Sequence, residues 1–225
     1  MKIINLFLPV LLVLSVGFAL PVNAQTRDQR TVDRDFTGVS VSSGVDLVLE
    51  QGSPAEIIVE ADEADLEDVK TELKGDVLNI EKEGGMFNLF QNRSSVTVFV
   101  TMPEIKKLSA SGGADIKSKG EITSDELDVS SSGGADIEIG IQAQKVVLKS
   151  SGGADIIASG STEHLETSAS GGSDIKARNL KAEFVSASSS GGANIEVYAS
   201  EELKASASGG SDVDCFGPAR MVEKS

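Results

Sequence analysis

The chain has 225 residues, with 20 Lys and Arg set against 35 Asp and Glu, and its formal charge of −15 excludes nucleic acid and anionic lipid head groups as natural partners. Tryptophan is absent and aromatics make up 4% of the residues, so any core must be built from small aliphatic side chains. A lone cysteine, Cys215, excludes an internal disulfide framework.

Met1 and Lys2 precede an apolar run from Ile3 to Leu20, broken by Pro9, that closes on Pro21-Val22-Asn23-Ala24. A short cationic start, an apolar stretch and small residues at the −3 and −1 positions predict a secretory signal peptide over 1–24, cut before Gln25. An uncleaved anchor is the alternative, since the run approaches the length that spans a bilayer. Pro9 and the Ala24 site favour processing. A lipid anchor would need a cysteine at the cut, and none is there. No later apolar run reaches spanning length, so the mature part is predicted not to cross a membrane. It would act in the periplasm, at the outer surface or outside the cell.

After a short leader at 25–30, residues 31–104 carry strand signals at irregular spacing. Val39-Ser40-Val41-Ser42-Ser43-Gly44-Val45-Asp46-Leu47 reads as a coil with one glycine missing. Ile57-Ile58-Val59, Val77-Leu78-Asn79-Ile80 and Val96-Thr97-Val98-Phe99-Val100 are further strands, and the acidic Ala61–Lys74 is read as a short helix or a loop. The stretch Gly84-Gly85-Met86-Phe87-Asn88-Leu89-Phe90 places two of the few aromatics in a predicted loop. Met86, Phe87, Leu89 and Phe90 form a candidate partner-binding tip, or they fold back over the end of the domain.

From 105 to 217 a repeat takes over. Ser111-Gly112-Gly113-Ala114-Asp115-Ile116 recurs from Ser132 and Ser151, and with small changes from Ser170, Ser190 and Ser208, so that the first glycine falls at 112, 133, 152, 171, 191 and 209. Alternating apolar positions flank each copy, as in Leu127/Val129 before the glycines and Ile137/Ile139 after them. Such alternation marks strands with one buried face, and Gly-Gly marks a turn that residues with a Cβ cannot follow. Short strands in units of about twenty residues describe the coils of an all-β parallel β-helix, with residues 31–104 as its first, less regular coils and 218–225 as a tail. Cys215 falls in the column of Ile139, Ala158, Ala177 and Val197 and is read as a small buried hydrophobe.

The serial Ser-Gly-Gly-Ala-Asp-Ile units, with the opening Phe36…Val39-Ser40-Val41…Val45-Asp46-Leu47, resemble the head GIN domain of auto-transporter adhesins over roughly residues 31–217. The resemblance implies a right-handed parallel β-helix and an adhesin-like role.

Stacking the coils lines up Asp115, Asp136, Asp155, Asp174, Asn194 and Asp212 about 4.8 Å apart. Two readings offset the repulsion between neighbouring carboxylates. Either each accepts hydrogen bonds from backbone N–H groups of the Gly-Gly turn, or the column holds calcium, the one cofactor the sequence suggests. Catalysis fits poorly, because acid–base work needs carboxylates in unlike environments and an even ladder supplies like ones. His164, the single histidine, is read as part of a polar surface turn at 159–164, and the serines before each Gly-Gly as small solvated residues. The expected function is therefore a non-catalytic, exported envelope module that binds a glycan or an envelope protein. A polysaccharide lyase or hydrolase on the same scaffold is the alternative, and self-association through strand edges or solenoid ends is a third reading.

Overall fold

A computed structural model describes residues 25–83 and 95–224. The predicted signal peptide and the candidate tip Met86, Phe87, Leu89 and Phe90 lie outside the described residues. The elements, in chain order, are β1 Thr26–Arg30, β2 Gly38–Ser42, β3 Val45–Gln51, β4 Glu56–Ala61, α1 Glu63–Leu66, β5 Val69–Lys74, β6 Val77–Lys82, β7 Val96–Met102 and β8 Lys107–Ser111. The long strands β9 Asp115–Ser132, β10 Asp136–Gly152, β11 Asp155–Gly171, β12 Asp174–Gly191 and β13 Asn194–Gly209 follow, then β14 Asp212–Cys215 and β15 Arg220–Lys224.

The predicted architecture is what the chain adopts: a parallel β-solenoid of about six turns, with equivalent positions about 19 residues apart. β9 to β13 stack in parallel, so that Ile116, Ile137, Ile156, Ile175, Ile195 and Val213 form one column. Leu127, Val146, Leu165, Val185 and Leu203 form another. Almost every member of the two is buried, Val213 being partly so, and a column of this kind is a core only one side chain wide. Extended backbone runs unbroken around the corners, so each coil is one long strand interrupted by small register shifts instead of two or three separate strands.

The coils meet at the Gly-Gly turns, which stack directly on one another. Gly172 N donates to Gly152 O (2.8 Å), Gly192 N to Gly171 O (2.7 Å) and Gly210 N to Gly191 O (2.7 Å). Gly171 combines a φ of +80° with a neighbouring turn so close that a Cβ would stand 3.1 Å from Gly152 O. Its partner type, Gly153, has open space around a Cβ, so in the later turns the first glycine carries the constraint, whereas at Gly112-Gly113 and Gly133-Gly134 both residues have positive φ.

The N-terminal third departs from the sequence reading in one respect: the coils do not stack in chain order. Two rows of strands converge on β9. One runs β1-β4-β7-β3 and the other β5-β6-β2-β8. The coil β6–β7 therefore lies outermost, and the earlier coil β2–β3 is held between it and the coil of β8 and β9. The strand β5, read as part of a short helix or loop, pairs antiparallel with β6. On the other row β4 pairs antiparallel with β7, and β1 with β4. These antiparallel strands interrupt the parallel stacking and cap this end. Residues 25–30, read as a leader, supply β1. Residues 218–225, read as a tail, supply β15, which pairs in parallel with β13. At that opposite end Phe216, Met221 and Val222 are exposed on the last coil.

Candidate functional site

The predicted ladder exists and has one more rung than predicted. Asp46 pairs with Asp115, and the column continues through Asp136, Asp155, Asp174, Asn194 and Asp212. Ala114 and Ile116 point inward, so strand alternation turns Asp115 outward, and the same holds at each rung. The N–H groups of Gly172, Gly192 and Gly210 do not balance these charges, because they bond the neighbouring turn. Instead the rungs hold one another. The backbone N–H of Asp136 donates to Asp115 Oδ1 (3.3 Å), and Asn194 Nδ2 donates to Asp174 Oδ1 (3.0 Å). Lys176 sits between Asp155 (3.0 Å) and Asp174 (3.8 Å). Burial, and then the charge of Asp115, push the Asp46 carboxyl up, with Lys117 acting against them. The hydrogen bond from Lys176 to Asp155 heads the effects that raise the pKa of Lys176. Among the described residues no three His, Cys, Asp or Glu side chains converge as a metal centre requires.

One serine in several of the runs before the glycines is not a solvated spacer, while Ser188 is exposed as expected. Ser131, Ser150 and Ser189 are buried and donate across the turn to the carbonyl oxygens of Ala135 (2.6 Å), Ala154 (2.7 Å) and Ala193 (2.8 Å). Where the same position is Ala169 or Ala207, the residue after the glycines is Ser173 or Ser211. Their hydroxyls bond back to Ser170 O (3.0 Å) and Ser208 O (2.9 Å). Each of these turns thus receives one buried hydroxyl, from one side or the other. Cys215 ends its column, opposite Val197, and is only partly buried because no further coil covers it. His164 lies within β11, not in a turn. Its ring stacks on Phe184 of the next coil at 5.1 Å, and Glu163 lies 3.3 Å from its Nε2.

A second feature went unseen in the sequence. A groove of about 940 Å³ crosses the outer face at the middle of the long strands, running from coil to coil. One wall is the column Thr123, Gln142, Ser161, Lys181 and Tyr198. Asp125, Gln144, Glu163 and Glu183 form the other wall, and small residues such as Ala143 and Ala182 lie between the two. At the N-terminal end the Gln51 side chain completes the ladder as a strand would. It accepts from Thr123 N (2.7 Å) and donates to Thr123 O (2.9 Å). At the other end Lys181 Nζ lies 3.7 Å over the ring of Tyr198. The amides of Gln142 and Gln144 are exposed and have no hydrogen-bonding partner among the described residues. No repeated residue type marks this groove, because each coil supplies a different side chain to it; the register is what assembles it.

A family profile described as "Putative auto-transporter adhesin, head GIN domain" matches residues 35–219. Among solved structures, one described as a putative adhesin from Bacteroides fragilis superposes with a TM-score of 0.77 at 19% identity, covering 91% of this chain and 99% of that one. A structure described as a putative lipid binding protein from Parabacteroides distasonis gives a TM-score of 0.69 at 16% identity, covering 89% and 93%. A putative adhesin from Parabacteroides merdae gives 0.67 at 17%, covering 90% and 96%. These likenesses establish a shared fold. No match was found among curated proteins.

Proposed function

The chain belongs to the auto-transporter adhesin head GIN domain family, and on that premise we propose that it is an exported, non-catalytic binding module of the cell envelope. The observation that supports this reading most is the evenness of the ladder. From Asp46 to Asp212 each rung repeats the same outward placement, and polar contacts along the column come from neighbouring rungs and from Lys176. General acid–base chemistry needs two carboxylates held in unlike surroundings, with water or substrate between them. A long surface that offers similar groups at regular steps suits many weak contacts instead. A lipid-binding role, suggested by the description of one similar structure, calls for an apolar cavity, whereas the groove is walled by amides, carboxylates and hydroxyls.

The test is to sediment purified protein with isolated bacterial envelopes and, in parallel, to assay a polysaccharide panel for cleavage products. Saturable retention without product is expected, little weakened in Asp136→Ala and Asp155→Ala because each removes one contact among many. Product that disappears in either variant would establish the enzyme reading in its place.

A further inference from the structure

We infer that the groove between the Gln142 and Gln144 walls binds an extended, uncharged polysaccharide lying along the solenoid axis; the inference rests on the reading of the chain as a binding module. Three features of the groove lead there. The first is its repeat. Successive rungs are about 4.8 Å apart, close to the length of one pyranose unit in an extended β-linked chain. A glycan laid along the axis therefore meets a fresh pair of side chains at nearly every unit. Five rungs from Thr123 to Tyr198 span roughly 19 Å, room for about four units in contact.

The second is hydrogen-bonding capacity that the fold leaves unused. Gln142 and Gln144 project into the groove from the same coil, on opposite walls, and each offers both a donor and an acceptor. Ser161 adds a hydroxyl, and the carboxylates of Asp125, Glu163 and Glu183 accept from donors such as sugar hydroxyls. At the end of the row stands Tyr198, the single tyrosine of the chain, with the Lys181 ammonium over one face of its ring. An aromatic beside polar groups is the usual means of holding the apolar face of a sugar ring while its hydroxyls are bonded.

The third is charge. Both lysines lining the groove are engaged: Lys106 pairs with Glu104 at 2.7 Å, and Lys181 lies over Tyr198. The acidic wall, in a chain of formal charge −15, repels uronate or sulfated polymers and accepts neutral ones.

The experiment is calorimetric titration of purified protein with four uncharged β-linked hexaoses (glucan, mannan, xylan and chitin type) and with an oligogalacturonate of the same length. At least one uncharged hexaose should bind and the oligogalacturonate should not. The double variant Gln142→Ala/Gln144→Ala and the single variant Tyr198→Ala should each weaken binding about tenfold or more. Lys204→Ala, an exposed control outside the groove, should leave it unchanged. Binding that survives all the groove variants overturns the assignment, as does failure of all four hexaoses or a preference for the charged oligomer. Retention of the protein by envelopes in the face of such failure leaves the binding-module reading standing; loss of retention as well removes both.

Discussion

The hydroxyl swap at the turns shows how finely single residues are matched in this fold. Ser150 fills the space beside Ala154 O and donates to it alongside Asp174 N, whereas one coil later the hydroxyl comes from Ser173, which bonds Ser170 O, and position 169 is Ala. Replacing Ser150 by Ala strips a buried carbonyl of a partner and should cost about 1 kcal/mol of stability. The double variant Ser150→Ala/Ala154→Ser should recover most of it, read as the midpoint of urea unfolding; no recovery would mean that the hydroxyl position is immaterial. The alternation was present in the sequence at 131/135, 150/154, 169/173, 189/193 and 207/211. It escapes a reading that scores each serine alone, because the signal is the exchange between two positions four residues apart. The ladder was legible for the opposite reason: the same residue type recurs at each rung, so chain spacing alone announces it. What balances its charge was not legible, since Lys176 and Asn194 reach their partners only once the register is set.

At the level of the strands, the columns make each substitution a matter for two neighbours. Thr167 occupies a position filled by Val129 and Leu148 in the preceding coils and by Ala187 in the next. Its Oγ1 is buried without a hydrogen-bonding partner among the described residues. Thr167→Val keeps the shape and removes the stranded hydroxyl, so a gain of about 1 kcal/mol or more is expected in chemical unfolding; a loss would place a partner on that hydroxyl. On the outer face, Lys176 ties two coils together through Asp155 and Asp174. Its pKa is raised from 10.5 in the fold, so its contribution to stability is fully present below that value and is lost as pH rises through the folded pKa. Melting temperature should fall above pH 10.5, and less steeply in Lys176→Met; equal slopes would show that the pair is idle. Asp46 follows the same sign in the acid range. Its raised pKa means that the fold holds the proton more tightly, so its contribution declines as pH rises from 3.8 toward the folded value. The strands themselves were legible from period-two alternation. Their stacking order near the N-terminus was not, because β4, β5 and β6 leave and return between two coils that the sequence presents as successive.

Over the whole molecule, the solenoid has one end closed by antiparallel strands and one long polar groove whose walls come from successive coils. Local pattern gave the repeat unit, hence the fold. The groove is a property of the stack: Thr123, Gln142, Ser161, Lys181 and Tyr198 share no residue type and lie 17 to 20 residues apart. A ladder of like carboxylates, together with a groove of unused amides and hydroxyls, is the basis of the binding proposal, and calcium on the ladder is the point to be tested with it. The most direct measurement is therefore binding of the purified protein to a broad glycan array, once with calcium and once with chelator. The account predicts saturable binding confined to uncharged glycans, equal under both conditions. Silence across the array, or binding that appears only with calcium, would contradict it.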